Sequence, residues 1–306
     1  MTSQPAVAAA RVVGAQHVQL GKPLQDEVGT LRIGPRVAVA VADGHGSSVH
    51  SDIGARVAVA TALSSLAWFA EEFSDRPIDE VHKYAQQALR RAIVRGWVDR
   101  IQTYGAQSQA DLRAYGSTLL FALSTPMYLL LGQIGDGDML LVDASGAVRR
   151  PILVKHELIG DETPSLCQEE AMSELYVIAV PAPQDEALLL LSTDGYAKSF
   201  REVEGFQKVG ADYLEMIRKS GVAAVERRLE GILTETTSRG SGDDIGLAMI
   251  YWSPAAAAAT LPAAPEACAT VATAAADPVH QGPAPATAEN ADLQDHGDKD
   301  VPCEPL

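Results

Sequence analysis

The chain has 306 residues, 47% of them hydrophobic, and a formal net charge of −16. Such a chain can bury a substantial core in one large domain or two small ones. Its acidity argues against nucleic acid or an anionic membrane surface as a partner. No apolar stretch is expected to span a bilayer, and the N-terminus lacks the basic-then-apolar order of a signal peptide. Cys167, Cys268 and Cys303 are too widely spaced to suggest a disulfide framework or a thiolate metal site. A soluble, cytoplasmic, monomeric protein is the expectation.

In chain order, residues 1–10 are expected to be loose. The run Val37 to Ala42 is short and apolar on both faces, which predicts a buried strand. Apolar residues at Ile53, Val57, Ala60, Leu63 and Ala67 predict a helix from Asp52 to Phe73, with Asp52 as its N-cap. A second helix is predicted over Ile78–Ile101, with Lys83, Arg90, Arg91 and Arg95 on its solvated face. Strands follow at Leu119–Leu123, Tyr128–Ile134 and Met139–Val142, and the turns at Thr125-Pro126 and Asp136-Gly137 predict an antiparallel meander. Further strands are predicted at Leu175–Val180, Ala187–Thr193 and Ile245–Trp252, and a helix at Ala211–Leu233. Helices and strands arrive in blocks, which predicts an α+β fold with antiparallel sheets. From Pro254 to Leu306 the chain is rich in Ala, Pro and Thr, and eight acids there face Lys299 alone. That segment predicts a disordered acidic tail, leaving one folded domain over residues 11–253.

Acids recur where the apolar runs end. Asp43-Gly44-His45-Gly46 follows the first predicted strand, and Asp194-Gly195 closes "ALLLLSTDGY". Asp136 and Asp138 lie between two strands, Asp243-Asp244 precedes the last strand, and Gln25-Asp26-Glu27 precedes the first. Each is by itself an ordinary turn, because turns are made of Asp and Gly. Carboxylates pooled at one sheet edge, however, repel one another unless divalent cations sit among them. Hard oxygen donors with no cysteine nearby favour Mg²⁺ or Mn²⁺ over Zn²⁺. No phosphate-binding glycine fingerprint opens any helix.

The series Gln25-Asp26, Asp43-Gly44-His45-Gly46, Gly116-Ser117-Thr118-Leu119, Gly135-Asp136, Ser192-Thr193-Asp194-Gly195 and Gly242-Asp243-Asp244-Ile245 resembles the metal-dependent Ser/Thr protein phosphatases of type 2C, the PPM family. The resemblance covers nearly all of the folded unit. It implies a sandwich of two antiparallel sheets flanked by helix pairs. It also implies hydrolysis of phosphoserine and phosphothreonine by a water activated at a dinuclear Mn²⁺ or Mg²⁺ centre. Carried over residue by residue, Asp43 bridges both metals, the Gly44 carbonyl binds one of them, and Asp194 and Asp243 complete the other. Asp26 holds a water beside the metals, Asp136 recruits a third, weaker metal, and His45 stands where some members carry a general acid. Gln25 replaces the glutamate of many members, and Asp244 replaces an asparagine. Where the family places a phosphate-binding arginine, Gly21-Lys22-Pro23-Leu24 offers only Lys22, a point charge without the guanidinium fork.

The implied partners are a phosphorylated protein and a Ser/Thr protein kinase whose signal the enzyme reverses. The alternative is a catalytically weak or inactive member that binds phosphoproteins, for which Gln25 and the missing arginine speak. Hydrolysis of small phosphomonoesters is disfavoured, since no enclosed ligand pocket is hinted at. Ser192 and Ser117 lack a His-Asp partner pattern, and His17, His50, His82 and His156 show no metal-ligand spacing, so these read as structural.

Overall fold

The computed structural model describes residues 4–73, 75–105, 111–152 and 163–253, without the side chains of residues 203 and 204. Two five-stranded antiparallel sheets form its centre. The first runs in the order β1 (Ala6–Val12), β10 (Ile245–Trp252), β9 (Ala187–Ser192), β6 (Asp138–Asp143), β7 (Val148–Arg149). The second runs β2 (Glu27–Ile33), β3 (Arg36–Ala42), β4 (Leu119–Ser124), β5 (Tyr128–Ile134), β8 (Tyr176–Pro181). Short helices α1 (Ala15–Leu20), α5 (Ala171–Glu174) and α6 (Asp194–Ala197) decorate the loops. The long helices are α2 (Ser51–Phe73), α3 (Ile78–Tyr84), α4 (Arg90–Tyr104), α7 (Val203–Ser220) and α8 (Val222–Arg239). The α+β sandwich expected from the sequence is therefore the fold observed.

The alternation inside β3 explains the layering. Val37, Val39 and Val41 pack between the sheets with Leu120, Leu131, Leu189, Leu191 and Ile250. Ala38, Ala40 and Ala42 point the other way, into a cluster with Leu66 and Phe69 of α2, where small side chains let helix and sheet approach closely. On the far side, Leu188, Leu190, Leu247 and Met249 pack with Tyr213, Leu214, Leu229 and Leu233 of α7 and α8. Each central strand is thus buried on both faces, so its sequence is a continuous apolar run and not a polar–apolar alternation.

Several expectations are corrected. Residues 1–10 are not loose throughout: Ala6–Val12 pairs along its full length with β10, from Ala6↔Tyr251 to Val12↔Ile245, and buries Ala8 and Val12. An alanine-rich strand with weak intrinsic propensity gains its order from that tertiary pairing. The meander is broken, because β5 pairs with β8 while β6 pairs with β9 and β7. The turn at Asp136-Gly137 is therefore a crossover between sheets, which strands apolar on both faces cannot signal. The predicted helix at Ala211–Leu233 is two helices, divided at Gly221, whose φ of +80° suits glycine. The predicted helix over Ile78–Ile101 contains a π-turn at Ala85–Leu89 and continues to Tyr104. Arg90 is partly buried there and donates to the Met172 carbonyl, so it does not belong to the solvated face. Asp52 lies within the first turn of α2, paired with Arg56 at 2.7 Å. By length and composition α2 could cross a bilayer, contrary to expectation; 56% of its apolar window is buried inside the protein. The tail, residues 254–306, lies outside the described residues.

Close packing of α2 also brings Gly54 against the segment before β4. A Cβ built there would stand 1.9 Å from the Tyr115 carbonyl oxygen, while the Gly54 carbonyl accepts a 3.0 Å hydrogen bond from the buried Trp97 indole. Glycine to alanine inside a helix ordinarily gains about 1 kcal/mol. Overpacking against an immovable backbone costs roughly 1–3 kcal/mol or more, and here it dominates. Gly54→Ala should therefore lower the denaturant midpoint at constant m-value, and an unchanged or higher midpoint would contradict this packing.

Candidate metal centre

One edge of the sandwich collects the acids because the strands bearing them end there. Asp43 leaves β3, and its N–H donates to the Thr118 hydroxyl at 3.0 Å while the Thr118 N–H donates to the Asp43 carbonyl at 2.9 Å. Gly44 bridges to Ser117, so the Gly116-Ser117-Thr118-Leu119 segment holds the Asp43 backbone from the neighbouring strand. A Cβ on Gly44 would lie 2.6 Å from the Ser51 carbonyl oxygen and 2.8 Å from that of Gln25, so a larger residue would displace both. Asp194 leaves β9 and opens α6. Asp136 sits in the crossover, its Oδ2 accepting from the Thr163 hydroxyl at 3.1 Å. One carboxylate oxygen from each of Asp43, Asp136 and Asp194 lies within 4.8 Å of the others. These residues line a cleft of about 180 Å³ with His17, Gln25, Gly44, His45, Thr163, Lys198, Asp243 and Asp244.

Burial is the main reason that the Asp43 and Asp26 carboxyls are held well above the usual carboxylate range. For Asp43 the charges of Asp26, Asp194, Asp243 and Asp136 add to it. For Asp26 the charges of Asp244 and Asp194 add, while hydrogen bonding with Thr193 and Asp43 works against the rise. Asp136 is raised by burial first and by Asp194 second. Asp26 Oδ2 and Gln25 Oε1 are buried with no hydrogen-bond partner. Oxygen donors without hydrogen, some unpartnered and mutually repelling, are what a hard divalent cation requires.

Asp244 behaves differently. Its Oδ1 accepts from the Gly14 N–H at 2.6 Å and its Oδ2 from the Gln25 N–H at 2.7 Å. His17 Nδ1 approaches Oδ1 to 2.9 Å, without hydrogen-bond alignment, and His17 Nε2 lies 3.8 Å from Asp243 Oδ1. Asp244 thus clasps the segment carrying Gln25 and Asp26 onto the loop before β10, and so serves structure. Asp243 is more open, with its side chain 44% exposed at the cleft. Asp138 is also spent on structure, in an ion pair with Arg150 at 2.8 Å.

Of the residues singled out in the sequence, Asp43, Gly44, His45, Asp136, Asp194 and Asp243 meet at this cleft. Asp26 is buried just behind it, near enough to perturb Asp43. Lys22 is exposed and does not line the cleft. Sequence reasoning missed His17 and Lys198. Four-residue spacing from Asp194 on an incipient helix was the available signal for Lys198. Nothing local could reveal the approach of His17 to Asp243 and Asp244.

The model of the family described as Protein phosphatase 2C matches residues 13–234. The chain belongs to the protein phosphatase 2C family. A serine/threonine phosphatase, stp, from Listeria innocua serovar 6a is 25% identical over 231 residues, covering 69% of this chain and 83% of the relative. The serine/threonine phosphatase of S. agalactiae superposes with a TM-score of 0.56 at 15% identity, covering 81% of this chain and all of that one. The catalytic domain of PstP, solved with two manganese ions, gives 0.55 at 19% identity over 81% and 97% of the two chains. The family and this curated relative are Ser/Thr protein phosphatases, and the structures establish the shared fold.

For this member of the 2C family, the raised acids make a stability prediction. Their folded-state pKa values exceed the unfolded value, so the metal-free fold binds those protons more tightly than the unfolded chain does. This contribution is complete below the ordinary carboxylate pKa and is lost as pH rises through the raised values. In excess chelator, Tm should fall as pH rises above the ordinary carboxylate range. Asp43→Asn should raise the neutral-pH Tm in chelator by removing an ionisable group whose charge is disfavoured by burial first and by neighbouring acids second. A Tm that rises with pH in chelator, or a destabilised Asp43→Asn, would contradict the electrostatic account.

Proposed function

We propose that the protein hydrolyses phosphoserine and phosphothreonine in protein substrates with two bound Mn²⁺ or Mg²⁺ ions, opposing a partner Ser/Thr kinase. The observation that carries this is the convergence of Asp43, Asp136 and Asp194 within 4.8 Å at a cleft open to solvent. Asp43, the Gly44 carbonyl, Asp194 and Asp243 would hold the two cations, with Asp136 available to a third. When bound, the cations supply water acidity and neutralise phosphoryl oxygens.

The chain's own groups supply the rest. Thr118 and Ser117 fix the backbone of Asp43 and Gly44, so these donors are set before any ligand arrives. Asp26, whose buried Oδ2 has no partner within the protein, would accept a hydrogen bond from a water beside the cations. His45 lines the cleft and packs against Gly116, where a Cβ would stand 2.6 Å from its Cδ2. From there the imidazole delivers a proton to the departing serine or threonine oxygen. We place the enzyme in the cytoplasm as a monomer, on the composition described above.

A phosphopeptide panel assayed with Mn²⁺, Mg²⁺ and chelator tests the reading directly. Turnover with Mn²⁺ or Mg²⁺ and none in chelator is expected, and Asp43→Asn should reduce it to background. Phosphopeptide binding without turnover under every metal condition would replace the phosphatase with a binding module.

His45 can be tested apart from the metals. An alkoxide is a poor leaving group and a nitrophenolate a good one, and general acid catalysis contributes about 10²- to 10⁴-fold where protonation is needed. His45→Gln should lower kcat on a phosphopeptide by roughly that factor and only mildly on p-nitrophenyl phosphate. Equal losses on the two substrates would leave His45 with a structural role.

A further inference from the structure

Among the described residues lining the acidic cleft, Lys198 alone carries a permanent positive charge. Its position is fixed locally: the Lys198 N–H donates to the Asp194 carbonyl at 2.8 Å, and that single turn lays its ammonium on Asp194 Oδ2. The side chain of Lys198 is 59% exposed and that of Asp194 only 10%, so the ammonium stands at the solvent side of the acid. An ammonium has three donors. Asp194 takes one, and no other protein acceptor engages it among the described residues. Two N–H groups therefore remain for a ligand at the mouth of the cleft.

A phosphoryl group approaching this edge meets Asp43, Asp136, Asp194 and Asp243, all unfavourable to an anion. It needs a fixed cation of the protein's own in addition to any metal. Lys22, the only basic residue in the segment before Gln25, is exposed away from the cleft lining. We propose that Lys198, oriented by Asp194, is the residue that receives the phosphoryl oxygens of the phosphoserine or phosphothreonine substrate and of the inorganic phosphate product. This rests on the phosphatase reading above. It gives Lys198 a positioning charge in place of the bidentate grip of a guanidinium, and so a weaker, less directional hold.

The test uses the full chain with saturating Mn²⁺ and inorganic phosphate as the probe, measured by titration calorimetry alongside phosphopeptide kinetics. Lys198→Met should weaken phosphate binding and raise KM by about tenfold or more, as expected for loss of a charge-assisted hydrogen bond. Its kcat should change less, and Lys198→Arg should restore both properties. Should Lys198→Met lose its near-ultraviolet circular dichroism, Lys198→Gln carries the same comparison. If Lys198 is only a counter-ion to Asp194, Mn²⁺ affinity will change while phosphate affinity and KM stay as in the unmodified protein, and the proposal is overturned. It is equally overturned if Lys22→Met, and not Lys198→Met, carries the loss. Calorimetry reads phosphate binding whether or not turnover occurs, so failure of the phosphatase reading, seen as no Mn²⁺-dependent hydrolysis, remains distinguishable.

Discussion

Crowded carboxylates at one edge of the sandwich are the constraint on which the rest of the structure turns. Two unit charges about 4 Å apart near a protein surface repel by about 4 kcal/mol. Asp43, Asp136 and Asp194 present mutual pairs on that distance scale, with Asp26 and Asp243 close by. Full ionisation without compensation would cost as much as a domain's entire stability, about 5–15 kcal/mol. Burial and like charge favour the protonated forms of Asp43, Asp26 and Asp136, and Lys198 is set against Asp194. The fold tolerates the cluster because the backbone around it is held independently of charge. Thr118 holds Asp43, the β9–β10 pairing sets where Asp194 emerges, and Ser241 donates to the Gly195 carbonyl at 2.9 Å.

The partners of each acid separate the structural ones from the reactive ones. Asp244 is buried yet accepts two backbone N–H bonds beside His17, and Asp138 has Arg150. Both have their principal partners within the protein. Asp26 and Gln25 retain buried oxygens without donors, and Asp43 is surrounded by like charge. An acid that the protein does not satisfy is one kept for something that arrives from outside. By this measure Asp244, adjacent in sequence to a metal-ligand candidate, tethers the N-terminal segment.

Much of this was legible in the sequence. Runs such as Val37–Ala42 and Ala187–Ser192 announced strands buried on both faces, and the acids at their ends announced a common edge. What could not be read was which sheet each strand joins. A strand apolar on both faces carries no mark of its layer, so β6 was assigned beside β5 when it crosses to β9. Ala6–Val12 escaped notice because alanine carries little strand preference, and its order comes from β10 at the other end of the chain. His17 and Lys198 escaped for related reasons. One meets its acids only through tertiary contact, and the other sits in a short turn whose helical geometry four residues cannot advertise.

Charge also sets the order in which the proposed ligands can assemble. A phosphoryl dianion and the acid cluster repel, and one half-exposed ammonium already engaged with Asp194 cannot reverse the sign of the cleft. Divalent cations meet the opposite situation, drawn by the cluster and by a chain of net charge −16. On electrostatic grounds metal would therefore enter first, and phosphate would follow into a site made less negative. The acid cluster would thus couple the two events, since the charge that makes the cleft hostile to substrate makes it attractive to cations.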